Sequence, residues 1–404
     1  MTTSRVPSGI TVTVQSWARK LWDVFLSLGS FSTRTKAHNY RQEALKAYSA
    51  GNVLEATDFI RTAIHWSPKD PDLFSDLGQM YFEIGKYEDA EACFRTALKY
   101  NYDHRRALKG VGFALQEQGK QSEAVYFYLR YVKEGTKDPD VLLNLGAALH
   151  AMGKYDQALR YYSEAHTYRP RNSVVLENMA RSLYSLGRFD EAIARVQESI
   201  KIDPKNEDAQ KLLGLCLESK GAPEEALKAY QLALEGQPSD GDLRLRVADL
   251  LEGLGRYQDS LDHALRATEI FEAAHDRGGM ARAFWDVGWA YYRLKQWQPS
   301  SDASARAVEL WPDLYQARFN LALVMLQLGR QEEALREYRR AAEGLAAAEI
   351  GYWAIEDLEE ALKESPDSPA MAEALTILRE ISDKSAGAVN DAQESGGSGT
   401  KFSK

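Results

Sequence analysis

Along most of the chain a large apolar residue stands directly before a small one, and the pairs return at a fixed interval: Leu77-Gly78, Val111-Gly112, Leu145-Gly146, Leu213-Gly214, Val247-Ala248, Val287-Gly288 and Leu321-Ala322. The small members run Ala44, Gly78, Gly112, Gly146, Ala180, Gly214 and Ala248, each 34 residues after the last; after one step of 40 the series resumes at Gly288 and Ala322. A second small column stands 12 residues further on, from Ala56 through Ala90, Ala124, Ala158, Ala192, Ala226, Ser260 and Ser300 to Ala334. A third runs from Ala63 and Ala97 through Ala165, Ser199, Ala233, Ala267 and Ala307 to Ala341, broken by Tyr131. Three aligned columns over nine units predict nine helical hairpins. Small residues facing each other would let two antiparallel helices approach, with the larger residues filling the space beside them.

Punctuation residues mark the hairpin ends. A glycine follows seven positions after the first small residue in eight units, at Gly51, Gly85, Gly119, Gly153, Gly187, Gly221, Gly255 and Gly329, where a left-handed turn would end the first helix. Proline closes many second helices, at Pro68, Pro170, Pro204, Pro238 and Pro312. The departures are Lys295 in place of the turn glycine, Tyr102 and Thr136 in place of the proline, and a seventh unit, residues 241–280, six residues longer than the others. That unit predicts either a longer second helix or a protruding turn near His275-Asp276-Arg277-Gly278-Gly279. The nine units occupy residues 37–346. Residues 347–364 and 368–383 predict capping helices, the second carrying a stripe of Met371, Leu375, Leu378 and Ile381. Residues 384–404, rich in Ser and Gly, read as a flexible tail.

Unit length, small-residue columns, turn glycine and closing proline together resemble the tetratricopeptide repeat family over residues 37 to about 346. The resemblance implies an all-α, right-handed α-solenoid with a concave groove, and a non-enzymatic scaffold or adaptor that holds a protein or peptide partner. In that family the first helix of each unit lines the groove at its second, fifth, sixth, ninth and twelfth positions. Carried over, the sixth position holds Asn144 and Asn178 in successive units and Asn320 later, with Arg181 and Tyr184 beside Asn178. Asparagine offers a donor and an acceptor together and can pair with the main chain of an extended peptide. The arrangement is similar to the asparagine ladder of O-GlcNAc transferase. The fifth, ninth and twelfth positions of the eighth unit hold Trp285, Trp289 and Tyr292, and the ninth unit adds Phe319 and Leu323. Spacings of four and three put the three aromatics on one helix face. Tryptophan and tyrosine are common interface anchors, and filling the inner wall of the solenoid is the competing role. The family's carboxylate clamp is a poor match: Lys109 and Asn144 fit, but Phe113, Val174 and Asn178 stand where it needs an asparagine and two basic residues.

Length alone, 404 residues, would suggest two or three domains, but a repeat array overrides that count. Fifty basic against fifty-nine acidic side chains give a net charge of -9, and without a long basic tract the chain does not read as a nucleic-acid binder. The two cysteines, Cys93 and Cys216, fit a reduced compartment. The Gly-Lys pairs at Gly85-Lys86, Gly119-Lys120 and Gly153-Lys154 lack the flanking pattern of a phosphate loop. The seven histidines form no ligand cluster, and no nucleophile-base constellation can be assembled. No catalytic residue, metal or cofactor is expected. Residues 1–36 differ in balance, with Arg5, Arg19, Lys20, Arg34 and Lys36 against Asp23 alone. There Trp17, Leu21, Phe25 and Leu28 form an amphipathic stripe widened by Trp22. It predicts a helix capping the first unit. The alternative is a membrane-recruited assembly factor whose residues 12–31 lie on an anionic bilayer. With no apolar span long enough to cross a membrane, the expected place is the cytoplasm, with peripheral membrane contact under the alternative reading.

Overall fold

The computed structural model describes residues 33–133, 138–343 and 345–396, with side chains through residue 385. Every regular element among them is helical, and the chain is an all-α solenoid of antiparallel hairpins. It divides into two compact units, Met1–Pro204 and Lys205–Lys404. The N-terminal stretch with Trp17, Leu21, Trp22, Phe25 and Leu28 lies outside the described residues.

The first unit holds five hairpins: α1 (Thr33–Ser49) with α2 (Val53–Trp66), α3 (Pro71–Glu83) with α4 (Tyr87–Tyr100), α5 (Arg105–Glu117) with α6 (Gln121–Val132), α7 (Pro139–Ala151) with α8 (Tyr155–Tyr168), and α9 (Ser173–Ser185) with α10 (Phe189–Ile202). The second unit holds four: α11 (Glu207–Ser219) with α12 (Pro223–Gly236), α13 (Gly241–Gly253) with α14 (Tyr257–Ala273), α15 (Arg277–Arg293) with α16 (Trp297–Leu310), and α17 (Tyr315–Gln327) with α18 (Gln331–Ala342). A segment of α19 (Ala347–Ile350), a wide turn of π type (Gly351–Ile355) and α20 (Glu356–Glu364) follows, and α21 (Pro369–Gly396) ends the described chain.

Seven of the nine first helices start at side-chain caps, while α17 starts at Leu314 without one. Asp70, Asp138, Asn172, Asn206, Asp240 and Asp276 each accept a hydrogen bond from a main-chain N–H of the following turn. His104 caps α5, its Nδ1 accepting from Ala107 N–H at 3.2 Å. The eight turn glycines all have φ between +71° and +83°. The ninth turn reaches the same left-handed region with Lys295, at φ 58°. In the long seventh unit the extra residues go into helix: α14 and α15 have 17 residues each, against 12 to 14 for the other hairpin helices of their unit. His275, at φ 54°, makes the turn between them, so no loop protrudes.

The small columns work differently from the small-on-small packing the sequence suggests. In four units the first small residue is a glycine that receives an aromatic ring from the second helix. A Cβ on Gly112 would lie 2.3 Å from the Tyr128 ring, and one on Gly146 would lie 2.5 Å from Tyr162. Gly78 meets Phe94, and Gly214 meets Tyr230. These rings are among the largest fully buried side chains. The eighth unit is small against small: Gly288 faces Ser304, and the Ser300 hydroxyl donates to the Gly288 carbonyl at 2.7 Å. Helix α21 also departs from expectation. It runs to Gly396, into the stretch read as a tail, where Ala388, Ala392, Gln393 and Glu394 favour helix and the Gly/Ser run begins only at Ser395.

Candidate partner-binding surface

Helix α15 carries Trp285, Trp289 and Tyr292, and α17 carries Phe319, Asn320 and Leu323. The structure brings the two sets into one region, but not as an open groove. Segment 347–364 lies across them. Its stripe of Ile350, Ala354, Leu358 and Ala361 is buried in one apolar cluster with Phe319, Leu323 and Tyr338, and Trp289 and Tyr292 pack on its margin. Phe319 and Leu323 are accordingly buried, whereas Trp285, Trp289 and Tyr292 are half-buried. Trp353, from the π turn, meets Trp285 edge-on with centroids 5.8 Å apart. Trp289 stacks on Tyr292 at 5.3 Å, and Trp297 tilts against the same tyrosine at 5.3 Å.

The polar fit of this segment is poorer. Arg293, half-buried, approaches the exposed Glu360 at 3.6 Å, and Lys295 pairs with Glu364 at 2.8 Å between exposed side chains, a contact that contributes little. The Trp285 Nε1–H and the Asn320 amide NH2 are buried and have no hydrogen-bond acceptor among the described residues. A buried donor left unpaired costs about 1–3 kcal/mol. Burial pushes the Asp357 carboxyl up to about 7, with the Glu360 charge adding to the shift and Arg293 opposing it. A cavity of about 210 Å³ remains between α15 and α20, lined by Trp289, Tyr292, Arg293, Trp297, Asp357 and Glu360. Nearby, burial raises both Asp286 and Asp249, the latter to about 6.

In the first unit, Asn144 on α7 and Asn178 on α9 occupy equivalent positions of successive first helices. The Asn144 amide is engaged: its Nδ2 donates to the Asp140 carbonyl at 2.8 Å and its Oδ1 accepts from Gln116 at 3.1 Å. Asn178 is half-buried, Arg181 is exposed, and Tyr184 tilts against Phe189 with centroids 5.6 Å apart. Lys109, the residue that fitted the clamp pattern, is bound to Asp138 at 3.0 Å.

Two features escaped the sequence reading. One is segment 347–364 itself as an occupant of the α15 and α17 face. The other is a cavity of about 380 Å³ in the first unit, lined among others by Tyr48, Asp76, Met80, Arg106, Lys109 and Phe113. Its Asp76 is buried and bound by Arg41 at 2.6 Å and Arg106 at 2.8 Å. The signal was available, because Tyr48, Asp76, Lys109 and Phe113 hold the twelfth, sixth, fifth and ninth first-helix positions. Among the described residues no three His, Cys, Asp or Glu side chains converge as a metal ion would require. None of the described helices is long and apolar enough to cross a membrane.

Hairpins at a 34-residue period, with a patterned first-helix face, define a repeat protein of the protein-interaction scaffold class. Models of the tetratricopeptide repeat match residues 75–139, 149–216, 241–313 and 315–340, together more than half of the chain, and the protein belongs to the tetratricopeptide repeat family. Similar solved structures include YrrB, a TPR protein with an unusual peptide-binding site, at 22% identity and TM-score 0.43, covering 46% of this chain and 94% of that one. PilW, a type IV pilus biogenesis factor, is 17% identical with TM-score 0.44, covering 50% of this chain and 94% of its own. MamA from Desulfovibrio magneticus is 18% identical with TM-score 0.41, covering 43% and 97% respectively. No curated protein matches the chain.

Proposed function

We propose that the protein is a non-enzymatic adaptor that holds a segment of a partner protein on its first-helix faces. The second unit supplies the anchors, Trp285, Trp289, Tyr292, Phe319 and Leu323, with Asn320 as a polar contact. Asn144, Asn178, Arg181 and Tyr184 supply polar contacts in the first unit. The observation that carries this reading is the half-buried state of Trp285, Trp289 and Tyr292, the last two lining a cavity, beside a buried donor on each of α15 and α17 that has no acceptor among the described residues. Partner capture from native lysate by wild type and by a Trp285→Ala/Trp289→Ala variant with unchanged helicity tests it. A partner retained by wild type and lost by the variant supports this surface. Equal retention by both moves the site elsewhere.

A second reading, membrane recruitment, rests on the basic amphipathic stretch at residues 12–31. Co-sedimentation of the full chain with anionic vesicles tests it. Binding lost on Trp17→Ala/Phe25→Ala supports recruitment, and absence of binding removes it.

A further inference from the structure

Segment 347–364 has the shape of a ligand. Its buried stripe of Ile350, Ala354, Leu358 and Ala361 joins one apolar cluster with residues of α17, α18 and α21. A second face, Trp353, Asp357, Glu360 and Glu364, is spaced by four, three and four residues and so lines one side of the helix. That face lies along α15, with Trp353 on Trp285, Glu360 by Arg293 and Glu364 on Lys295. The match is aromatic to aromatic at one end of the face and acid to base at the other.

The match is also incomplete in a consistent way. The Trp285 indole N–H and the Asn320 amide find no acceptor on the segment. Asn320 is only 6% exposed, so water cannot readily replace that acceptor. Asp357 is half-buried beside the charges of Glu360, Glu252 and Glu356, with Arg293 as the opposing charge. A cavity separates Asp357 from Trp289 and Trp297. The entry to the helix is a π turn, in which the Glu356 N–H bonds the Gly351 carbonyl, and Tyr352 beside it is 61% exposed. Such single wide turns inside helices are frequent at functional sites. Lys295, which reaches Glu364, is the one residue other than glycine among the nine first-to-second-helix turns within units, held at an unfavourable positive φ. Strain kept at a contact point marks a functional constraint.

We infer that the α15 and α17 face is a docking site for an acidic amphipathic helix led by an aromatic residue, and that residues 351–364 are its resident substitute, displaced when the partner binds. This rests on the adaptor reading above and names the chemistry of the partner. The partner presents an aromatic ring to Trp285, carboxylates seven and eleven residues further on to Arg293 and Lys295, and a neutral residue at the place of Asp357. It also supplies the acceptors that Trp285 and Asn320 lack among the described residues. Resident and partner compete for one surface, so affinity is reduced by the fraction of time the surface is covered.

The test uses the full chain and a labelled, acetylated and amidated peptide of residues 349–364, in native form and with Asp357→Asn. Wild type is compared with an opened variant, Trp353→Ala/Glu364→Lys, by fluorescence anisotropy at pH 8. The opened variant should bind the native peptide at least 10-fold tighter than wild type, and the Asp357→Asn peptide tighter still. Adding Trp285→Ala to the opened variant should remove the gain. Hydrogen exchange on wild type supplies an independent readout: amides of 352–364 should exchange at least 10-fold faster than those of α15. Equal peptide affinity for wild type and the opened variant, at unchanged helicity, overturns the inference. So does exchange of 352–364 as slow as that of α15, or loss of the α15 to α18 fold in the opened variant, since each makes the segment a fixed part of the unit. The adaptor reading falls separately: if the peptide result fails but the Trp285→Ala/Trp289→Ala variant still loses its partner, the surface stands and only the displacement falls.

Discussion

Trp353 stands edge-on to Trp285, ring centroids 5.8 Å apart and planes at 70°, joining the C-terminal segment to a helix that begins the second-last hairpin. An edge-to-face pair is worth roughly 0.5–1.5 kcal/mol beyond the area it buries. With the half-buried area added, Trp353→Ala should weaken docking of residues 351–364 by about 2 kcal/mol. Hydrogen exchange should report faster opening of those residues, with α3 to α8 unchanged. Equal loss of protection in both units would show that the ring pair supports the fold at large.

The turn at Lys295 gives a prediction of opposite sign for stability and for docking. A side chain at φ 58° costs about 1 kcal/mol relative to glycine, while the exposed Lys295–Glu364 pair returns little. Lys295→Gly should therefore raise the stability of the second unit by about 1 kcal/mol in denaturant melts. It should also speed exchange in residues 356–364. Lys295→Ala keeps the strained turn, loses the pair, and should not stabilise.

Asp357 makes the second unit sensitive to pH. Burial, then the charges of Glu360, Glu252 and Glu356, push its carboxyl up to about 7 against the pull of Arg293. The folded protein therefore holds this proton between about pH 4 and 7, where the unfolded chain has released it, and stability falls as pH rises through that window. Asp357→Asn removes the titration. Its advantage over wild type should grow by roughly 2 kcal/mol between pH 5 and pH 8. Thermal melts at the two pH values check this, and a constant difference would mean that Asp357 ionises freely in the folded protein.

The ring seat at Gly112 predicts a packing defect confined to the first unit. A methyl group there would lie 2.3 Å from the Tyr128 ring, which is fully buried and has little room to withdraw. Gly112→Ala should cost about 2–3 kcal/mol despite the better helix propensity of alanine. Gly112→Ala/Tyr128→Leu should recover part of the loss, measured as denaturant midpoints. No recovery would place the strain in the backbone.

The periodic part of the fold was legible because it is local. A helix that must pass a ring at Tyr128 needs a glycine at Gly112, and a hairpin that must reverse needs a left-handed residue at Gly119, so both leave a mark every 34 residues. The partner of each small residue was less legible. The columns tell where space is needed, and the ring that uses it stands in another column. Trp285, Trp289 and Tyr292 were visible as one face from their spacing alone. What covers them was not: the stripe from Ile350 to Ala361 announces an apolar helix, yet nothing in its spacing says whether it lies on the last hairpin alone or reaches back to α15. Asp76 escaped because its role depends on Arg41 and Arg106, each about one unit away in sequence.

The Lys295–Glu364 pair spans 69 residues, about two units, in a second unit whose hairpins otherwise pack mainly on their neighbours in sequence. Under tension, hairpins joined only to neighbours would peel off one at a time, each releasing roughly 110–120 Å of extended chain. The clasp between residues 285–295 and 353–364 closes a loop around α16, α17 and α18. Pulled from its C-terminal end, the protein would first resist at that clasp. It would then yield the enclosed hairpins together, in a step about twice the length of a single unit.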